Sequence, residues 1–197
     1  MRNKRNLWII VLVVIVGLLA ISDVRNYNGM VTKSEGVDAQ WSNVETSYQR
    51  RADLIPNLVS TVKGYADFES KTLTAVIEAR SKATSIQVDP KNLTEENMKK
   101  FQEAQAGLSG ALSRLMVVSE QYPNLKANQN FLDLQAQLEG TENRISTERR
   151  KFNELARLYN TFIKVFPKNI FAGLFGFEKK PYFEAAEGAQ KAPEVKF

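Results

Sequence analysis

An unbroken apolar run close to the N-terminus constrains this chain more than any other feature in it. The run is Leu7, Trp8, Ile9, Ile10, Val11, Leu12, Val13, Val14, Ile15, Val16, Gly17, Leu18, Leu19, Ala20 and Ile21, preceded by Arg2, Lys4 and Arg5. As a helix its 15 residues extend about 22 Å. A hydrocarbon core is about 30 Å thick and takes about 20 residues to span comfortably. The run is therefore short, but Trp8 suits the interface and Arg5 can extend its charge to the headgroups. After Arg5 no charge appears before Asp23. A cleaved signal peptide is the competing reading, with a basic flank, a short apolar stretch, and small residues at Ala20 and Ser22. Three basic residues precede the run, and only Arg25 and Lys33 follow closely. That bias favours an N-terminus in the cytoplasm and a domain outside.

Composition removes whole classes of chemistry. The chain has no Cys, so disulfides, thiolate metal sites and Cys nucleophiles are excluded. It has no His, which excludes imidazole bases, Ser-His-Asp triads and His-ligated zinc. The net charge of +5 owes three units to Arg2, Lys4 and Arg5. What remains is too mild to argue for nucleic acid. No nucleophile elbow, phosphate-binding loop or dinucleotide fingerprint occurs.

Beyond the run, apolar residues recur at helical spacing and turn signals are few. A first helix is expected from about Tyr27 to Arg51, with Val37, Trp41, Val44 and Tyr48 on one face and a start weakened by Gly29 and Gly36. Asp53 before Leu54-Ile55-Pro56 reads as an N-cap with Pro in a new first turn, so a break or kink is expected there. A second helix then runs to about Ser85, its stripe passing through Ile55, Val59, Val62, Ala66, Glu69, Leu73, Val76, Arg80 and Ala83. Thr94, followed by Glu95 and Glu96, caps a third helix that stops near Tyr122-Pro123-Asn124. The fourth and longest runs from about Ala127 to Phe166. Its stripe alternates three and four through Phe131, Leu134, Leu138, Thr141, Ile145, Glu148, Phe152, Leu155, Tyr159, Phe162 and Val165, a spacing suited to bundle packing.

These residues include a set of local sequences that resemble the LemA family. They are Arg50-Arg51-Ala52-Asp53-Leu54-Ile55-Pro56-Asn57-Leu58-Val59, Val62-Lys63-Gly64-Tyr65-Ala66, Glu78-Ala79-Arg80 and Leu108-Ser109. Glu120-Gln121-Tyr122-Pro123-Asn124-Leu125-Lys126-Ala127-Asn128, Glu142-Asn143-Arg144-Ile145, Arg149-Arg150, Tyr159-Asn160, Phe166-Pro167 and the closing Ala192-Pro193-x-Val195-x-Phe197 complete the set. The resemblance covers nearly the whole chain in order. It implies a bacterial membrane protein with a retained N-terminal anchor and an antiparallel helical bundle. It brings no catalytic activity and no active-site residues. Some members of the family are associated with membrane-organelle formation, and others with envelope stress and membrane proteases.

Four polar residues fall on apolar stripes: Glu69, Arg80, Thr141 and Glu148. Buried charges need partners, so an interhelical pairing network is expected from them. The rival reading, a carboxylate metal site, lacks the His that bundle sites add. Arg50 and Arg51 read as surface arginines beside a helix cap, or as contacts for anionic headgroups or a partner carboxylate. Glu142, Arg144, Arg149 and Arg150 read as a solvated face or a partner surface. Between Phe166 and Phe183, the apolar residues Ile170, Phe171, Leu174, Phe175, Phe177 and Phe183 either close one end of the bundle or form an exposed patch, with Lys168, Lys179 and Lys180 towards headgroups.

The expectation is an all-α chain in three parts. Residues 1–24 are cytoplasmic flank and transmembrane anchor, 25–166 an antiparallel four-helix bundle with long helices, and 167–197 an aromatic-rich segment packing on the bundle. The expected function is a non-enzymatic, membrane-tethered scaffold of the bacterial cell envelope, single-pass, with the bundle on the extracytoplasmic side. Its partners would be the membrane itself and an unidentified membrane protein, without nucleic acid, cofactor or metal. The alternatives are a regulatory partner of a membrane protease or envelope-stress system, and a lipid-binding or membrane-shaping protein. Oligomeric state is not readable from the residues.

Overall fold

The computed structural model describes residues 2–64 and 70–184; within 2–22 the Trp8 side chain alone is described. The order is α1 (Arg2–Lys63), α2 (Ser70–Ser85), a 3-10 turn (Pro90–Asn92), α3 (Glu95–Ser119), α4 (Pro123–Lys126), α5 (Gln129–Lys164) and α6 (Lys168–Phe175). The result is an all-α bundle with long helices, as the spacing predicts. The anchor run Leu7–Ile21 is helical in backbone, but its side chains other than Trp8 lie outside the described residues. Among the described residues, no helix is long and apolar enough to cross a membrane.

The expected break at Asp53 to Pro56 is absent. α1 runs through Pro56 to Lys63, and residues 54–63 belong to it rather than to the second helix. Asp53 is no cap; its Oδ1 accepts from Gln49 Nε2 at 2.8 Å. Proline in a helix interior removes the bond to the carbonyl four residues back, here Ala52. That carbonyl accepts instead from Arg80 Nε of α2 at 2.8 Å. The buried face also continues without a change of phase through Ile55, Leu58, Val59 and Val62.

Other helix ends follow local chemistry. Thr94 Oγ1 accepts from Asn97 N at 3.2 Å and caps α3, as predicted. Asn128 Oδ1 accepts from Phe131 N at 3.1 Å and starts α5. Gly176, at φ 73°, ends α6 in the left-handed region, where only glycine is unstrained. The seam of α5 keeps the predicted register to Phe152, then takes a step of four to Ala156, so Ala156, Tyr159 and Ile163 are buried and Val165 is exposed. A helix near 3.6 residues per turn drifts from a strict 3.5 repeat, and the extra step of four absorbs the drift.

The described chain forms two compact units, and α1 and α5 contribute to each. One comprises residues up to Ala39 with Glu154–Lys180; the other comprises Gln40–Asn153 with the chain from Pro181. The first is centred on Met30, Val37, Ala156, Tyr159 and Ile163. Gly29 lies close under Phe162, where a Cβ would fall 2.8 Å from the ring. Lys180 Nζ pairs with Asp38 Oδ1 at 2.8 Å in this unit. Burial, reinforced by the Asp38 charge, pushes the Tyr159 hydroxyl up to about 12.

The second unit has a mainly aliphatic core that includes Ile55, Leu58, Val62, Val76, Leu108 and Leu115, joined by the Phe131 ring. An aromatic group centres on Trp41, with edge contacts to Phe101 (5.2 Å) and Phe152 (5.7 Å). Phe183 stacks on Trp41 at 5.7 Å. Such pairs contribute about 0.5–1.5 kcal/mol each beyond burial.

Candidate functional site

The second unit carries an open cleft of about 910 Å3 beside residues 42–53 of α1, with the α2–α3 connection and α3 as its other walls. Trp41 Nε1 donates to the Val88 carbonyl at 3.3 Å and holds that connection in place. Glu45, Asp53 and Asp89 set three carboxylates against the Arg50 guanidinium around the cleft. Burial pushes the Glu45 carboxyl up, partly offset by a hydrogen bond from Trp41. Tyr48 forms part of the wall, its ring edge-on to Phe101 at 5.0 Å. Burial raises its hydroxyl above the ordinary range, against the pull of the Arg149 and Arg51 charges.

Directly behind this wall sits Arg51, only 1% exposed. Its Nη1 donates to Ser109 Oγ at 2.7 Å and pairs with Glu142; its Nη2 donates to Gln105 Oε1 at 2.7 Å. Gln105 Nε2 in turn donates to the Ala83 carbonyl at 3.2 Å. One guanidinium and one amide thus tie α1, α2, α3 and α5 together. The sequence places Arg51 at the surface, either beside a helix cap or as a contact for headgroups or a partner carboxylate. It is spent inside instead, because its planar fork meets acceptors from two other helices at once. Its Nε is left without a partner among the described residues.

A narrower cleft of about 360 Å3 lies between α1 and α5, lined by Ser47, Arg50, Thr141, Arg144, Glu148 and Lys151 among others. Here the balance reverses, with three cations against the Glu148 carboxylate. Gln40 Nε2 donates to Glu148 Oε2 at 2.7 Å, and Lys151 pairs with Oε1 at 3.1 Å. The Gln40 hydrogen bond above all, then Lys151 and Arg144, hold the Glu148 carboxyl below its ordinary range. Arg50 and Thr46 line both clefts, so one face of α1 presents an acidic hollow on one side and a basic one on the other.

Of the expected network of Glu69, Arg80, Thr141 and Glu148, the three members among the described residues each have a partner outside that set. Glu69 lies outside the described residues. Arg80 serves the Ala52 carbonyl, Thr141 donates back to the Gln137 carbonyl at 2.7 Å, and Glu148 pairs with Gln40 and Lys151. Glu142, read as a surface charge, turns to Arg51. Arg149 donates to the Glu184 carbonyl at 2.8 Å and lies over the Phe183 ring at 4.8 Å. Of the four arginines proposed for partners or headgroups, Arg50 and Arg150 are exposed, and Arg150 donates to Thr147 Oγ1 at 3.3 Å.

Buried amides were missed. Gln40 and Gln105 carry the polar clusters, and Asn153 clamps both the N–H (2.8 Å) and the carbonyl (2.9 Å) of Phe183. In the other unit Asn160 clamps Lys180 in the same way. Asn153 and Asn160 are seven residues apart on α5, a repeat that could have been read as two amides on one helix side. The aromatic segment divides between its two readings: Phe183 is core, while Phe166, Ile170 and Leu174 are exposed. Among the described residues, no group of three or more carboxylates is arranged to hold a metal ion.

The model of the LemA family matches residues 40–197. Magnetosome protein MamQ 2 of Paramagnetospirillum magneticum is 30% identical over 175 residues, covering 80% of this chain and 64% of the relative. Magnetosome protein MamQ of Magnetospirillum gryphiswaldense is 29% identical over 174 residues with the same coverage. Protein LemA of Metamycoplasma hominis is 24% identical over 180 residues, covering 91% of this chain and 78% of the relative. The chain spans about 64% of the length of the MamQ relatives it matches. The family match opens at Gln40, where the second unit begins, so both clefts and the Arg51 cluster lie inside it.

Proposed function

We propose, from the premise that this chain belongs to the LemA family, that it is a non-catalytic, membrane-tethered interaction protein of the bacterial envelope. The observation that carries this reading is that one helix, α1, includes both the apolar run and the wall shared by the two clefts. Leu7–Ile21 acts as a single-pass anchor, and the bundle stands on the extracytoplasmic side. Within the second unit, α1, α2, α3 and α5 form an antiparallel four-helix arrangement, in keeping with the short connections between them.

The two clefts take a polar segment of a membrane protein. An acidic hollow and a basic hollow on either side of Arg50 select a partner with the opposite pattern, and such complementarity sets specificity and encounter rate more than affinity. Tethering raises the effective concentration against partners in the same membrane without any new contact.

A photo-crosslinking residue at Gln49, in the wide cleft, tests this in intact cells, with Val117 on an exposed part of α3 as control. A discrete adduct with a membrane protein from position 49, reduced by Arg50→Glu and absent from position 117, is expected. No adduct at 49, or equal adducts at both positions, rejects the clefts as the docking site.

The exposed apolar residues around α6 favour one further element, contact with lipid.

A further inference from the structure

We infer that α6 is an interfacial helix that lies on the bilayer beside the anchor, making the first unit a two-point membrane attachment. The inference rests on the reading of Leu7–Ile21 as a transmembrane anchor.

The residues around α6 are apolar where water would be expected. Phe166 is 80% exposed, Ile170 58% and Leu174 74%. Ile170 and Leu174, four apart, share one side of the helix, and Phe166 stands just before its start. On another side Ala172 is buried, so the helix is held to the unit by one face and presents the other. Isolated exposed apolar residues are ordinary; several large ones gathered on one short element mark a contact surface.

What covers that surface follows from where α6 is fastened. Phe175 packs edge-on against Tyr27 at 5.2 Å, and Phe177 does so at 5.6 Å. Tyr27 lies on α1 six residues beyond Ile21, about 9 Å along the axis. The apolar run is about 8 Å shorter than a hydrocarbon core of about 30 Å. A short span is met by local thinning of the bilayer and snorkelling of its flanking residues, which keeps the stretch from Val24 to Tyr27 at the headgroup layer. Val24 is itself exposed, and tyrosine is enriched at that depth. A helix stacked on Tyr27 is therefore at the membrane surface.

The charges agree. Lys164, Lys168 and Lys179 flank the apolar face; Lys168 Nζ lies over the Phe162 ring at 3.8 Å. Cations beside an apolar face are the pattern of helices that lie in the interface of anionic membranes. Lys180, by contrast, is committed to Asp38.

The chain has no cysteine, so single nitroxide labels can be placed without background. The full chain is reconstituted in vesicles of phosphatidylethanolamine and phosphatidylglycerol, with one label per variant at Val14→Cys, Leu174→Cys or Val117→Cys. Collisions with oxygen and with a water-soluble nickel chelate report depth. Labels at 14 and 174 should both be shielded from the chelate and open to oxygen, while 117 remains aqueous. Adding Ile170→Asp to the Leu174→Cys chain should return that label to an aqueous signal; Ile170 is exposed, so the change leaves the core intact. A shielded label at 14 with an aqueous label at 174 overturns the inference and leaves the anchor standing. Aqueous labels at both positions overturn the anchor, and the inference with it.

Discussion

Removing either partner of the Arg51–Glu142 pair should give unequal losses of stability, with the larger loss on the side that looks more accessible. Arg51 is 1% exposed and Glu142 is 46% exposed. In Glu142→Ala the guanidinium remains buried among Ser109 and Gln105 without a counter-charge. Stranding a buried charge in this way costs about 3–5 kcal/mol. In Arg51→Met the apolar stem is largely kept, and the Glu142 carboxylate, already half in solvent, regains water. The remaining loss is the donor to the buried Gln105 Oε1, about 1–3 kcal/mol. The double variant should lie close to Arg51→Met, because removing Glu142 costs little once the guanidinium is gone. Urea unfolding of the full chain in detergent, followed by fluorescence from Trp41 in the second unit, measures all three. If Glu142→Ala destabilises no more than Arg51→Met, Glu142 is not what compensates the buried charge.

Four further outcomes are expected. Arg80→Ala should cost about 1–3 kcal/mol by leaving the Ala52 carbonyl unbonded, and about 1 kcal/mol less in a Pro56→Ala background, where the restored N–H serves that carbonyl; a double-mutant cycle that shows no coupling contradicts this. Glu148 has a folded pKa below its ordinary 4.5, so its stabilisation is full above that range and is lost as pH falls through the folded value. Urea midpoints against pH should lose this part of the acid limb in Glu148→Gln or Gln40→Leu, and an unchanged limb refutes the assignment. Gly29→Ala should be net destabilising, because crowding Phe162 costs about 1–3 kcal/mol against about 1 kcal/mol of helix propensity gained. Gly36→Ala, with open space at its Cβ, should instead stabilise by about 0.5–1 kcal/mol, and thermal melts separate the two.

Features set by neighbours in sequence were legible, and features set by distant donors were not. Thr94 caps α3 because the bond to Asn97 is made within one turn. The α5 stripe was readable as far as Phe152 and again at Tyr159, but Ala156 and Ile163 take the buried places expected of Leu155 and Phe162, since a fixed 3-4 alternation does not track a helix of 3.6 residues per turn. The break at Pro56 was a sound local inference, as proline does lose its helix bond. What the chain order concealed was that Arg80, 28 residues away in α2, would supply the donor. Arg51 was misplaced for the same reason: its burial depends on Gln105, Ser109 and Glu142, each at least 54 residues further along. Of the stripe residues expected to form one network, Arg80 and Glu148 found the Ala52 carbonyl and Gln40 on α1, and Thr141 bonds back to the Gln137 carbonyl of its own helix. Composition also could not separate Phe183 from Leu174. The first is drawn into the core by Asn153 on its backbone and Trp41 on its ring, while the second is left outside.

On the proposed function, this bundle engages its partner because α1 ties it to the membrane. The most direct test compares the adduct yield from a photo-crosslinker at Gln49 in two forms of the chain. One keeps Leu7–Ile21; in the other an unrelated cleavable leader replaces it and exports the same bundle to the same compartment in free form. Tethering raises effective concentration, with gains in avidity of about 10²–10⁴. The adduct should therefore be strong in the anchored form and all but lost in the released form at equal abundance. An equal yield from both forms would show that the clefts find their partner unaided and that the anchor is not part of the mechanism.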